Sequence, residues 1–192
     1  EACDGAGSGA RGVFGAILGT GVGGGLVHER RLIAGVNAIA GEWGHNPLPW
    51  PRIWPTGDER PGPECFCGKL GCIETFLSGP GLVRDHASAT GLHLEPAAIA
   101  AEGNAAAAET MARYVDRLAR ALATVINLFD PEVIVLGGGL SNVSRLYEDV
   151  PKLWGRWVTS DRVDTALRPA RHGPTSGVRG AAWLWPVEEE RR

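Results

Sequence analysis

Three of the four cysteines in this chain, Cys65, Cys67 and Cys72, lie within eight residues of one another, and His45 precedes them. Thiolates and a neutral imidazole are ligands that Zn²⁺ prefers, and four of them fill its tetrahedral shell. Glycines within the stretch allow the backbone to fold back over a metal ion. The spacing therefore predicts a structural zinc site whose ligands are His45, Cys65, Cys67 and Cys72. The alternative is three unrelated buried thiols near a surface histidine.

The charge balance excludes one class of partner. The chain has 192 residues with 19 basic and 22 acidic side chains, a net charge of −3, and neither sign forms a long run. Nucleic-acid binding requires a basic face, so we expect no nucleic-acid partner. No apolar run approaches the roughly 20 residues of a membrane helix, so we expect no membrane span. No signal peptide opens the chain, which favours a cytoplasmic location, where cysteines stay reduced.

A glycine-rich turn follows the first predicted strand. Residues 13–19 are a short apolar run that ends in glycine, which predicts a buried strand. Residues 26–27 resume a strand, which we expect to pair with residues 31–33. The turn at residues 19–25 (GTGVGGG) can direct several backbone N–H groups at a phosphate, and the Thr20 hydroxyl adds a donor. A plain glycine-rich hairpin is the alternative, because the spacing differs from that of a Walker loop.

The middle of the chain has helical patterns. Short helices are predicted over residues 75–78, 80–90 and 97–102. Asn104 can cap the longest helix, whose apolar side chains recur at intervals of three and four up to Phe129. The opposite face of this helix carries four charged side chains, those of Arg113, Asp116, Arg117 and Arg120. We interpret these four charges as a solvent-exposed face.

The last third of the chain has an α/β pattern. Residues 132–136 are a short β-branched run that leads into three glycines, which predicts a central strand followed by a turn. A helix is predicted over residues 145–157, an edge strand over 163–167 and a closing helix over 178–185. Ligands of α/β proteins bind beyond the carboxyl ends of the strands. The glycine turns after the two buried strands can therefore face one nucleotide.

Four motifs together resemble the ROK family of sugar kinases and sugar-responsive regulators. They are residues 19–25 (GTGVGGG), 41–45 (GEWGH), 65–74 (CFCGKLGCIE) and 130–139 (DPEVIVLGGG). The resemblance covers essentially the whole chain. It implies an α/β protein with the actin-like ATPase, or ribonuclease H-like, fold, in which ATP-Mg²⁺ and a hexose meet in a cleft between two lobes. Within the family, residues 45–50 and 73–79 look most like bacterial fructokinases, including the manno(fructo)kinase type.

The resemblance also implies roles for individual residues. Sugar hydroxyls are bound by three side chains, those of Glu42, His45 and Glu74. Phosphate is bound by the turn residues Gly19, Thr20 and Gly21, while the adenosine lies against Gly138 and Gly139. His45 then serves twice, with one ring nitrogen on zinc and the other directed at the sugar. Without the resemblance, both glutamates would be interpreted as surface carboxylates at helix ends.

Two motifs of the family are not found in the chain. The family's catalytic base, an Asp in an Asn-Asp-Ala segment, would fall before Glu1, and so would an Asp-x-Gly-Gly-Thr phosphate loop. Asp4 aligns beyond the base, so we do not assign it that role. We therefore expect residues 1–192 to be mainly the C-terminal lobe of a ROK kinase, inactive by itself. Its expected parts are the zinc-binding loop at 41–74, a helical segment at 75–130 and the nucleotide-side strand, turn and helix at 131–192.

The sequence leaves two functions open. The first is ATP-dependent phosphorylation of a hexose, with the conversion of fructose to fructose 6-phosphate as the expected reaction. The second is a non-catalytic sugar-sensing or dimerisation module of a ROK transcriptional regulator. Regulators of this family carry an N-terminal helix-turn-helix, which the sequence does not contain. Under either hypothesis the resemblance implies a homodimer.

Overall fold

The computed structural model describes residues 1–182. Their strands are β1 (Gly12–Leu18), β2 (Val22–His28), β3 (Arg31–Ile33), β4 (Ile53–Trp54), β5 (Gly57–Asp58), β6 (Val133–Gly137) and β7 (Ala166–Pro169). Their α-helices are α1 (Ile73–Leu77), α2 (Gly79–Thr90), α3 (Pro96–Ala100), α4 (Ala105–Phe129), α5 (Arg145–Trp154) and α6 (Ser176–Ala182). Short 3-10 helices lie at Trp43–His45, Gly139–Asn142 and Gly173–Thr175.

The main sheet has five strands in the order β3-β2-β1-β6-β7. The central strand β1 is antiparallel to β2 and parallel to β6, and both predicted buried strands are confirmed. The expected pairing after the glycine turn is also confirmed, because Leu26 lies opposite Ile33 in the β2–β3 ladder. The turn itself covers residues 19–21 rather than the predicted 19–25, because β2 already begins at Val22. The edge strand β7 begins at Ala166, three residues later than predicted. Because β1 and β6 are parallel neighbours, the turns that follow them lie at the same edge of the sheet.

The long helix α4 packs against one face of this sheet through the predicted apolar stripe. Met111, Leu118 and Leu122 are completely buried. Asn104 caps the helix as predicted, since its side-chain oxygen accepts a hydrogen bond from the Ala107 N–H at 2.9 Å. This helix and the sheet form the core against which the loops described below are held.

The interpretation of the α4 charges as solvent-exposed is wrong. Arg113, Asp116, Arg117 and Arg120 are all buried, and Arg120 has no exposed area. The segment between residues 49 and 60 contacts this face and contributes Glu59, while α2 contributes Asp85. The sequence does contain a clue, because the basic residues of this helix are all arginines. Arginine, with its planar guanidinium, is the cation that suits buried ion pairs.

Other differences concern element boundaries. The glycines after β6 lead into a 3-10 turn rather than directly into a helix, and α5 ends at Trp154 rather than at residue 157. The closing helix predicted over 178–185 begins earlier, at Ser176, and its part beyond residue 182 lies outside the described residues. Within residues 1–182, no helix combines the length and the apolar character needed to cross a membrane.

The first residues of the chain pack against the second face of the sheet and are tied to its last segment. Ala2, Ala6 and Ala10 contact the small cluster formed there by valines of β1 and β6. The Glu1 carboxylate accepts four hydrogen bonds, from the N–H groups of Ala6, Arg171 and His172 and from the Ser176 hydroxyl. Glu1 therefore joins the start of the chain to the segment after β7.

Candidate functional site

The four side chains predicted as metal ligands lie together. Cys65 Sγ is 3.6 Å from His45 Nδ1, and Cys67 Sγ is 3.6 Å from Cys72 Sγ. All four ligand atoms lie within 4.8 Å of one another. In a tetrahedral zinc site, bond lengths near 2.0–2.3 Å put neighbouring ligand atoms about 3.5–3.8 Å apart. The donor set and these two short distances fit a Cys₃His zinc site, with Nδ1 as the ring nitrogen that faces the metal.

Backbone hydrogen bonds hold together the two halves of the loop at residues 41–74, which we call the metal loop. Leu48 N–H donates to Gly71 O at 2.8 Å, and Ile73 N–H donates to Asn46 O at 2.8 Å. Gly71 N–H in turn donates to Pro63 O at 2.9 Å. The strand-like contact around Cys72 thus brings the histidine side of the loop beside its cysteine side.

The thiols of the loop differ in acidity. A backbone hydrogen bond from Lys69, the largest contribution, lowers the pKa of the exposed Cys67 to about 7. Burial, followed by the neighbouring thiols, raises the pKa of Cys72 to about 12. A coordinated cation removes this difference in pKa between Cys67 and Cys72, because a thiol bound to zinc is deprotonated outright. Such a crowded set of thiols is therefore expected to depend on a metal ion for its charge balance.

The 3-10 helix Trp43–His45 fixes the position of the imidazole against β2. Trp43 is buried, and its indole N–H donates to Gly23 O at 2.8 Å. Gly44 lies so close to β2 that a Cβ there would be 1.9 Å from Val22 O. Glycine is thus required at the position just before His45, and the close approach holds the histidine at the strand.

The two predicted sugar-binding carboxylates have different surroundings. Glu74 is partly buried, and its Oε2 accepts a hydrogen bond from the Val22 N–H at 2.9 Å. Its Oε1 lies 4.0 Å from Cys65 Sγ, so the carboxylate joins the metal loop to the start of β2. Glu42 is exposed, and its carboxylate makes no hydrogen bond to any residue in the range 1–182. The structure therefore brings Glu74 and His45 to one loop cluster and leaves Glu42 open to solvent beside it.

A cleft of about 1480 Å³ lies at the edge of the sheet where β1 and β6 end. Gly19 and Thr20 from the first glycine turn and Gly139 from the second line this cleft. The structure thus brings together three of the five residues predicted to bind nucleotide. Gly21 and Gly138 are not among the lining residues. Gly138, with φ of +84°, packs against β1, where a Cβ would lie 2.4 Å from Leu18 O.

Several polar residues of the cleft were not predicted from the sequence. Arg84 and His93 line it from the side of α2, and Arg145 lines it from the start of α5. Arg145 is paired with Glu102 at 2.6 Å, which connects the loop before α4 to α5 across the cleft. These residues come from segments without a glycine or cysteine motif. Arg84 lies in the middle of α2, His93 lies after it and Arg145 begins α5, so no local sequence pattern marks them.

The first glycine turn lies between the cleft and the metal loop. Gly19 and Thr20 face the cleft, whereas a Cβ at Gly21 would lie 2.6 Å from Glu74 Oε2. The turn is fixed at its base, because Gly79 N–H donates to Gly19 O at 2.7 Å. One short turn therefore separates this cleft from the Glu74 carboxylate, which lies next to the candidate metal ligands.

Comparison with known proteins identifies the family. The model of the ROK family matches residues 1–188. The chain is 40% identical over 187 residues to the N-acetyl-D-glucosamine kinase of Photobacterium profundum, covering 96% of this chain and 62% of that protein. The matching protein from Aliivibrio fischeri, also an N-acetyl-D-glucosamine kinase, is 42% identical, with 58% of its length covered. The chain thus spans about three fifths of the curated relatives it matches, and these relatives do not support the expected fructokinase specificity.

A solved structure gives the same relationship. The ROK family glucokinase from Streptomyces griseus, in complex with glucose and AMPPNP, superposes with a TM-score of 0.77 at 31% identity, covering 93% of this chain and 62% of that one. The α/β fold expected from the sequence is therefore confirmed as that of ROK sugar kinases. Because the family model matches nearly the whole chain, the chain belongs to the ROK family.

Proposed function

We propose that this chain is the nucleotide-binding and metal-bearing part of an ATP-dependent hexose kinase. The observation that carries the proposal is the position of the Gly19–Thr20–Gly21 turn, between the large cleft and Glu74. A kinase must hold the γ-phosphate next to the sugar hydroxyl that accepts it. A turn with exposed donors at the boundary of two sites is suited to that position.

The cleft supports binding of ATP with Mg²⁺. Its volume is large enough for a nucleoside triphosphate, since ligand pockets commonly measure about 300–1,000 Å³. Thr20 of the first glycine turn and Gly139 of the second line one end of the cleft, where the Thr20 hydroxyl can donate to phosphate, whereas the Gly19 N–H is already bonded to Gly21 O. Val83, Leu140 and Val143 give the cleft apolar surface that suits a purine base. We assign the phosphates to Gly19 and Thr20 and the adenosine to Gly139, which line the cleft, whereas Gly21 and Gly138 shape the two turns without lining it.

The metal loop supports binding of the hexose. We assign Zn²⁺ to His45, Cys65, Cys67 and Cys72, where it would act as a structural clip. With Nδ1 facing the metal, the Nε2–H of His45 is free to donate to a sugar hydroxyl, and coordination makes it a better donor. Glu74, held by Val22, and the exposed Glu42 would accept hydrogen bonds from further hydroxyls.

The relatives favour an acetylated amino sugar as substrate. Curated N-acetyl-D-glucosamine kinases share 40–42% identity with the chain, more than the 31% of the solved glucokinase. We therefore propose N-acetyl-D-glucosamine in place of fructose. We assign no proton-accepting carboxylate to this chain, because Asp4 is engaged by His172 and Arg179. A homodimer and a cytoplasmic location stay predictions.

The test is a phosphorylation assay with a panel of sugars and ATP-Mg²⁺. It is run on the 192-residue chain and on the chain joined to any sequence that its gene encodes ahead of Glu1. For the chain joined to that sequence, ADP release is expected to depend on the added sugar and to be most efficient with N-acetyl-D-glucosamine, ahead of glucose, mannose and fructose. The 192-residue chain is expected to be inactive by itself. Sugar binding without nucleotide binding would instead favour the regulator hypothesis. That hypothesis draws support from a ROK family transcriptional regulator, a homologue of the E. coli MLC protein, which superposes with a TM-score of 0.72 at 25% identity, covering 89% of this chain and 44% of that one.

A further inference from the structure

The buried charges of α4 connect this helix to the segment that lies between the two halves of the metal loop. Arg120 makes five hydrogen bonds: Nε donates to Asp116, one terminal nitrogen donates to the carbonyl oxygens of Pro49 and Trp50, and the other donates to both oxygens of Glu59. The guanidinium therefore binds both ends of the segment 49–59 at once. We propose that Arg120 and Glu59 are positioning residues that set the metal-binding geometry of the loop.

Glu59 is the residue of the segment 49–59 that binds the arginines of α4. It is 4% exposed, and every group around its carboxylate is a donor. Besides Arg120, these donors are Arg117 Nε at 2.8 Å, the indole N–H of Trp54 at 2.7 Å and the backbone N–H of Arg52 at 2.8 Å. Burial raises the pKa of Glu59, but the hydrogen bonds from Arg117, Arg52 and Trp54 and the charge of Arg120 lower it overall, so the group is a carboxylate at neutral pH. A fully paired buried ion is geometrically demanding, and it therefore specifies one conformation of the segment.

The two ends of the segment 49–59 lie close in sequence to the proposed metal ligands. Pro49 lies four residues after His45, and Glu59 lies six residues before Cys65. Between these points the chain has little regular structure, only the two-residue strands β4 and β5. Trp50 adopts φ of +47°, an unfavourable backbone conformation for this residue, and its carbonyl is one of those held by Arg120. Backbone bonds around Cys72 hold His45 beside that cysteine. The bonds to Arg120 add a second restraint, on the irregular segment that leads from His45 to Cys65 and Cys67.

A neighbouring arginine provides a comparison for the same helix. Arg113 is buried to a similar extent and pairs with Asp85 of α2 at 2.9 Å, and it makes no hydrogen bond to the segment 49–59. If Arg120 only stabilises the fold, substitution of either arginine should leave the metal affinity of the folded chain unchanged. If Arg120 positions the loop, only its substitution should change the metal affinity.

The experiment measures metal binding by the 192-residue chain, and it rests on the proposed zinc site. Zn²⁺ affinity is measured by competition with a chromophoric chelator, and the Co²⁺ form is examined for its thiolate-to-cobalt absorption. Arg120→Lys keeps the charge but loses the planar fork. We expect it to lower the Zn²⁺ affinity about tenfold or more, the usual effect of removing groups that orient metal ligands, and to alter the Co²⁺ spectrum. Arg113→Lys is the matched control, expected to keep both properties even if its melting temperature falls.

A third variant covers the case in which Arg120→Lys does not fold. Arg52 is half-exposed and pairs with Asp116, the residue that also binds Arg120. Arg52→Ala is expected to weaken Zn²⁺ binding in the same direction but less. Equal effects of the two lysine substitutions on metal affinity, or unchanged affinity in folded Arg120→Lys or in Arg52→Ala, would overturn the inference. Absence of Zn²⁺ binding by the unchanged chain would instead disprove the proposed metal site, and the inference with it.

Discussion

Glu74 accepts a hydrogen bond from the backbone N–H of Val22 at 2.9 Å, across 52 residues of the chain. This contact joins the first turn of α1, next to the last cysteine ligand, to the first residue of β2, directly after the glycine turn. The proposed sugar site and the proposed phosphate turn are therefore in direct contact. We therefore expect a displacement of the metal loop to be transmitted to the turn that lines the cleft.

Substitution Glu74→Gln tests this connection. Charge-assisted hydrogen bonds contribute about 1.5–3 kcal/mol, so we expect the variant to unfold at lower denaturant concentration. We also expect hexose affinity to fall at least about tenfold, because one carboxylate acceptor is lost. Glu64→Gln is the control, since Glu64 lies exposed in the same loop and is outside the proposed site. Equal hexose affinity in the two variants would contradict the assignment of Glu74.

Substitution Cys67→Ser tests the metal loop. We expect about one zinc ion per unchanged chain by elemental analysis and its loss in the variant. The free energy of unfolding should also fall, because metal binding is coupled to folding of the loop. Cys3→Ser, outside the cluster, should keep both the metal and the stability. Full stability of Cys67→Ser, with or without a chelator, would refute a structural role for the metal.

Two adjacent glycines should respond differently to alanine. At Gly138 the positive φ and the contact with Leu18 O oppose a side chain, so Gly138→Ala should destabilise the fold by roughly 2–6 kcal/mol. At Gly139 a Cβ meets no atom within 4 Å, so Gly139→Ala should fold normally. The added methyl group projects from a residue that lines the cleft, and we therefore expect weaker binding of AMPPNP. Chemical denaturation and nucleotide titration measure the two effects, and unchanged nucleotide affinity in Gly139→Ala would count against the adenosine assignment.

The hydrogen bonds to the Glu1 carboxylate make the stability of the fold depend on pH. Burial alone would raise the pKa of Glu1, but hydrogen bonds from Ser176, Ala6, His172 and Arg171 lower it to about 2. Because the pKa is lower in the folded than in the unfolded chain, this contact stabilises the fold fully above pH 4.5. That stabilisation is lost as the pH falls from 4.5 towards 2. Acid denaturation curves of Glu1→Gln should be flatter in this window than those of the unchanged chain, and identical slopes would argue against the contact.

Parts of the fold are predictable from the sequence because local patterns determine them. The short β-branched run at residues 133–136 favours a buried strand, and the spacing of apolar residues with Asn104 defines α4. The clustering of the candidate metal ligands is also predictable, because Cys65, Cys67 and Cys72 are close in sequence and need only one partner, His45, from elsewhere. In these cases most of the information lies in short stretches of chain.

The buried charges could not be predicted in the same way. A stripe of arginines on α4 has the same helical spacing whether it faces solvent or Glu59. What buries it is an irregular segment about 60 residues away in sequence, which has no periodic pattern. The same reason applies to Arg84 and Arg145 in the cleft, since only the packing of α2 and α5 against the rest of the fold places them there. Local sequence patterns do not predict the long-range contacts of irregular segments.

Titration of the zinc-loaded 192-residue chain with AMPPNP-Mg²⁺ in a calorimeter tests the central claim most directly. The arrangement of the two glycine turns around one cleft predicts a single site per chain, with a Kd of about 1 μM to 1 mM, the usual range for enzyme substrates. It also predicts weaker binding in Gly139→Ala and unchanged binding in Thr56→Ala, a substitution at the exposed β4–β5 turn. A folded, zinc-loaded chain that binds no nucleotide would contradict the proposal that this cleft serves a kinase.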